Sequence, residues 1–212
     1  MELGQIDIHV QVAMLSRYLA QPHQGHLEAV FHIFAYLRKY KRSKVVFDDT
    51  CVSWGSKFQA VDWRDSYPEA SEPIPPNVPE PRGKCVQMNC FVDADHAGNQ
   101  ITRQSHTGVL LFVCRALIIW YSKRQNTVET STFGSEFIAA KTATEMIQAL
   151  QYKLRMMGIL IDGPTNMFCN NEAVVRNSTM PESTLKKEHV AICYHRVQEA
   201  CASGMIQIAK ED

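Results

Sequence analysis

Hydrophobic spacing along this 212-residue chain changes period several times, and each change marks a structural element. Ile8, Val12, Leu15 and Leu19 recur at helical intervals, Pro22 and Gly25 interrupt, and Leu27, Phe31, Phe34 and Leu37 resume the pattern. Two helices over 7–38 follow, a helical hairpin with one apolar face on each arm. Val45-Val46-Phe47 and Cys51-Val52-Ser53-Trp54, with Asp48-Asp49 between them, predict a β-hairpin over 45–60. From 86 onward the period becomes two: Val86, Met88, Cys90 and Val92 alternate, with Phe91 and Asp93 on the other face. Gly108–Val113 and Ala116–Tyr121 are apolar runs so close together that they pair as an antiparallel meander. Helical spacing returns over 133–157 through Phe137, Ala140, Ile147, Leu150 and Leu154, and Gly158 suits the C-terminal cap. Pro164 leads into a short strand, Asn166–Cys169, followed by one or two helical turns over 171–177. A helix from Leu185 to Ser203 and a last strand, Met205–Ala209, complete the series. The order βββ-α-β-α-α-β predicts an α/β domain over 86–212, a mixed sheet with helices against it.

Composition changes this picture in two places. Six of the nine prolines fall between 68 and 81, and residues 48–80 hold seven acids against two bases. That predicts an extended, solvated linker over 66–84, so that 45–85 separates a hairpin unit, 1–44, from the main domain. The formal net charge of zero gives the molecule no long-range attraction for nucleic acid, although Arg38, Lys39, Lys41, Arg42 and Lys44 form a local basic cluster. Seven cysteines without a C-x-x-C pair, several inside apolar runs, point to a reducing compartment rather than a disulfide framework. With no signal-like start and no membrane-length apolar run, the expectation is a soluble intracellular protein, cytoplasmic or nuclear.

Three element ends carry oxygen ligands. Asp93 ends the alternating strand, Glu136 sits where the long helix begins, and Asn170 ends Phe168-Cys169-Asn170. Oxygen groups at three ends suit a divalent-metal site for phosphodiester cleavage. Each has a plainer explanation: Asp93 as a turn residue, Glu136 as an acid favouring a helix N-terminus, and Asn170 as the cap of the next helix. Asp95 is a second-rank substitute ligand, expected on the face opposite Asp93. His189 and His195 are six apart on one predicted helix, as a proton shuttle or, by preference, as packing residues.

Five blocks in order resemble the RNase H domain of copia-type LTR retrotransposon polyproteins. They are Val92–Gly98, Arg103–Gly108, Trp120–Gln125, Ser135-Glu136-Phe137, and Cys169-Asn170-Asn171 with Lys187-Glu188-His189 through Tyr194-His195. The similarity covers roughly 86–210, and Gly4–Leu37 resembles the end of the preceding reverse transcriptase, its thumb region. The chain is therefore expected to be a fragment of such a polyprotein. The resemblance implies an RNase H-like fold, a mixed five-stranded sheet flanked by helices. It implies hydrolysis of the RNA strand of RNA–DNA hybrids with two Mg²⁺ ions (Mn²⁺ as a substitute). Its partners would be the hybrid or other nucleic acid and the rest of a polyprotein, with no membrane. Asp93, Glu136 and Asn170 take the catalytic places, with Asp93 and Glu136 as metal ligands. Arg103, Lys123 and Arg124 flank the groove as phosphate contacts, the alternative being a solvated loop.

The chain departs from the family pattern at two places. Asn170 stands where the family has Asp, and a neutral amide supplies an oxygen without a charge. A fourth acid belongs in a short helix beyond the last strand. The sequence ends at Lys210-Glu211-Asp212 before such a helix, and Asp212 lies too close to the strand to take that place. The expectation is weak metal binding and turnover reduced by ~10²-fold or more. The alternatives are a non-catalytic nucleic-acid-binding module and a domesticated structural or interaction protein.

Overall fold

The computed structural model describes residues 6–99, 101–183 and 190–211. The chain divides into two compact units, 1–46 and 47–212.

In the first unit, α1 (His9–Leu15) and α2 (Gln24–Lys39) form the expected hairpin, with 3-10 turns on both sides of α1. Tyr36 donates to Asp7 Oδ2 at 2.6 Å, and Tyr18 stacks on His26 with ring centroids 3.9 Å apart. Neither helix buries a residue, and Leu27, Phe31 and Phe34 are exposed.

The second unit is built on five strands, β1 (Met88–Asp95), β2 (His106–Val113), β3 (Ala116–Arg124), β4 (Thr165–Cys169) and β5 (Ile206–Lys210). Their spatial order is β3-β2-β1-β4-β5. The meander pairs antiparallel, whereas β1–β4 and β4–β5 pair parallel, as helix-linked strands must. The helices are α3 (Thr132–Met156), α4 (Glu172–Thr179) and α5 (Ala191–Ala202). The element order predicted a mixed sheet with helices against it, and the resemblance implied its five strands; both are observed.

Alternation in β1 decides what packs where. Met88, Cys90, Val92 and Ala94 join Val109, Leu111 and Met167 in a core with Phe137, Ala140, Ala143 and Ile147 of α3. The other face carries an aromatic layer: Phe91 stacks on Phe168 at 4.9 Å and meets Phe112 edge-on at 5.7 Å. One rung of this sheet is polar. Gln207 donates to Asn166, Asn166 to Asn89, and Asn89 to the Cys114 carbonyl. Asn89 and Asn166 are buried, so this satisfied amide row penalises a register slip among β1, β4 and β5.

Two expectations need correction. No strand forms over 45–60, and 66–84 is not a free linker. Trp54 donates to Asn89 Oδ1 at 2.8 Å, and its ring and that of Phe58 cover Phe168. Trp63 is buried, Tyr67 hydrogen-bonds to His195 and Gln198, and Glu72 pairs with Arg155. The Arg82 amide donates to the Gly158 carbonyl at 2.6 Å. Prolines and acids made the stretch look solvated, but its aromatic side chains gain more from covering the sheet than from water. The start of the helix expected from Leu185, the Lys187–His189 block and Asp212 lie outside the described residues.

Candidate functional site

Parallel pairing of β1 and β4 sets Val92 against Cys169, so the next residues, Asp93 and Asn170, emerge side by side at adjacent strand ends. Asn170 Nδ2 donates to Asp93 Oδ1 at 2.8 Å. The amide nitrogen must be the group facing Asp93, because an ionised carboxylate accepts and cannot donate. Asn170 is free to make this contact because its neighbour does the capping: Asn171 Oδ1 accepts from the amides of Ala173 and Val174.

Glu136 arrives from the other side, in the first turns of α3. Ser131 caps that helix by accepting from the Gly134 amide at 3.3 Å. The approach is tight, since a Cβ on Gly134 would lie 2.5 Å from Glu129 Oε2. Glu136 is 5% exposed, and among the described residues its Oε2 has no hydrogen-bond partner. Burial raises its carboxyl to about 7; the Asp93 charge adds to the rise, and the Ala94 backbone amide partly offsets it. Buried Cys169 reports the same local charge: desolvation pushes its thiol up to about 12, with contributions from Glu136, Asp93 and Glu211. The structure therefore brings Asp93, Glu136 and Asn170 together.

The positions of the remaining candidates are less uniform. Arg103 is exposed on the β1–β2 loop. Lys123 and Arg124 are consecutive in β3, so their side chains leave opposite faces. Both border a cavity of about 330 Å³ that also meets Lys141 and Tyr121. Asp95 shares the Asp93 face rather than opposing it, because β1 stays extended through both. Its carboxylate lies over Gly98, where a Cβ would sit 1.7 Å from Oδ2. His195 is exposed, and its Nδ1 lies 2.8 Å from the Tyr67 hydroxyl.

Several supporting groups were not singled out from sequence, although they lie in or beside the blocks that carried the resemblance. Gln125 Nε2 donates to Thr107 Oγ1 at 3.0 Å and to the Ser135 carbonyl at 2.8 Å, tying β2 and the end of β3 to the start of α3. Ser105 Oγ accepts from the Ala97 amide, and His96 Nδ1 lies 3.2 Å from Ser135 Oγ. Glu211 was passed over as well; its amide binds the Cys169 carbonyl.

No protein-family profile matches the chain. It is 27% identical over 205 residues to the retrovirus-related Pol polyprotein from transposon TNT 1-94 of Nicotiana tabacum, covering 96% of this chain and 13% of that protein. It is 22% identical over 202 residues to the Pol polyprotein from transposon RE1 of Arabidopsis thaliana, covering 95% of this chain and 12% of that protein. The chain is similar to these transposon Pol polyproteins along nearly its whole length. It spans about an eighth of the length of these Pol relatives. A solved structure of LC11-RNase H1 in complex with an RNA/DNA hybrid is similar over 59% of this chain and 83% of its own, at 17% identity and a TM-score of 0.45. Among the described residues, no helix is long and apolar enough to cross a membrane, and no group of three or more His, Cys, Asp and Glu side chains is placed to hold a metal ion.

Proposed function

We propose that residues 86–212 are a charge-poor RNase H-like domain of copia-type retrotransposon origin, whose ancestral chemistry, cutting the RNA strand of an RNA–DNA hybrid, is strongly reduced. The supporting observation is the Asn170–Asp93 hydrogen bond. An amide N–H sits against the carboxylate that a metal would need, and Asn170 contributes no negative charge of its own. Two carboxylates and one neutral amide do not fit a pair of Mg²⁺ ions, which need close neutralisation and strict octahedral oxygen geometry. No catalytic step is assigned through such a pair.

The residues that remain do have definable roles. Asp93 and Glu136 form the anionic floor of the site, and a single Mg²⁺ or Mn²⁺ held weakly there would polarise a phosphate oxygen. Lys123, Arg124 and Arg103 supply cationic phosphate contacts for a hybrid or another nucleic acid. The same hydrogen bond favours a second function, a module that holds nucleic acid without cutting it.

A cleavage assay on a labelled RNA–DNA hybrid with Mg²⁺ and then Mn²⁺ tests this reading. The expected result is slow cleavage, faster with Mn²⁺, that Glu136→Gln abolishes. Cleavage that survives Glu136→Gln in purified protein would place the chemistry elsewhere. Hybrid binding at low salt that disappears at moderate salt, with no cleavage, would select the binding module.

A further inference from the structure

Two thiols far apart in sequence meet outside the candidate site. Cys51 lies in the segment that covers the aromatic face of the sheet, and Cys114 sits in the β2–β3 turn. Their sulfur atoms are 3.1 Å apart, although the residues are 63 positions apart in the chain. A disulfide S–S bond is about 2.0 Å long, so closure needs a movement of roughly 1 Å. The flanking backbone already holds the two residues in register. The Arg115 amide donates to the Asp48 carbonyl at 3.2 Å, and the Arg115 guanidinium pairs with the Asp48 carboxylate at 3.8 Å. On the far side of Cys51, Trp54 is anchored to Asn89, whose own amide holds the Cys114 carbonyl.

We infer that Cys51 and Cys114 form a reversible disulfide that staples the 47–60 segment over the Phe91–Phe168 layer when the chain meets a low-molecular-weight disulfide such as oxidised glutathione. The two thiols differ in access. Cys51 is exposed and meets the oxidant, whereas Cys114 is 3% exposed and acts second. The Cys51 thiolate attacks one sulfur of the small disulfide, forms a mixed disulfide and releases one thiolate. The Cys114 thiolate then attacks the Cys51 sulfur, and the second small thiolate leaves. Two cysteine thiols are oxidised, one small disulfide is reduced to two thiols, and the two cysteine protons end on those thiols. Burial first, and the hydrogen bond to Cys51 next, raise the Cys114 thiol, which lowers its thiolate fraction near neutral pH.

A cross-link closing a long loop restricts the unfolded chain and so stabilises the folded one. Here it fixes an irregular segment onto β1 and the β2–β3 turn, and Trp54 carries that restraint to Phe168, two residues before Asn170.

The test treats the full 212-residue chain with oxidised glutathione and maps its peptides under non-reducing conditions. A Cys51–Cys114 cross-linked peptide is expected, with a thermal midpoint higher by roughly 5 °C or more that dithiothreitol reverses. Cys51→Ser and Cys114→Ser should each abolish both effects, and Cys193→Ser should leave them intact. A stable glutathione adduct on Cys51 without the cross-link would overturn the inference. So would a dominant Cys51–Cys85 pair, or a cross-link that leaves the midpoint unchanged.

Discussion

In the proposed reading, Asn170 and Glu136 lower the negative charge of the site by different routes. Asn170 removes a charge by chemistry; Glu136 holds its charge back by burial. The second route has a measurable sign. The folded carboxyl is raised from 4.5 to about 7, so its protonated form is the one that folding favours. Its stabilising contribution is full below about pH 4.5 and is lost as pH rises through about 7, a change of about 3 kcal/mol. Glu136→Gln removes that penalty and offers Asp93 an amide donor. The variant should therefore melt several degrees above the parent at pH 8, with the gap closing towards pH 5. An equal gap at both pH values would show that Glu136 does not titrate in this range. At this scale the sequence was informative about identity and silent about environment. The letter at 170 was visible, but that its amide turns onto Asp93 while Asn171 takes the cap depends on which neighbour starts α4.

Strands and helices set these side chains near one another. β1 and β4 run parallel as neighbours, so their ends deliver Asp93 and Asn170 together, and α3 begins close enough for the Asp93 charge to act on Glu136. Gln125 holds that arrangement from the side. Gln125→Ala leaves Thr107 and the Ser135 carbonyl without their partner and should cost about 1–3 kcal/mol in denaturant unfolding. A loss below the detection limit would mean that another group fills the gap. Periodicity made these elements legible because each buries one face: the α3 core positions and the β1 alternation were readable, and the observed ends are displaced from them by a residue or two. The hairpin expected over 45–60 failed for the converse reason. Val46 and Phe47 show strand-like composition but are exposed, and Trp54 gains more from Asn89 and Phe168 than from a paired strand.

Across the whole molecule, the segment from 47 to 86 belongs with the sheet it covers, although its composition resembles a linker. Limited proteolysis should accordingly cut between 40 and 47 and spare 66–84, leaving a fragment that starts near Phe47. Cutting throughout 66–84 would contradict that packing. Trp54→Ala should lower stability by about 2–3 kcal/mol, because it removes an aromatic contact and leaves the Asn89 oxygen one donor short. The scattered aromatic residues were visible in the sequence; which surface they would cover was not, since that surface exists only once β1 and β4 pair. The proposed reading is a site with too little negative charge for two Mg²⁺ ions, and a single substitution tests that claim most directly. Hybrid cleavage in Mg²⁺ should be compared for the parent and Asn170→Asp at pH 8, where Glu136 is mostly ionised. A gain of ~10²-fold in the variant is the expected result. An unchanged rate in folded Asn170→Asp, or a parent that already cleaves as fast, would contradict the account.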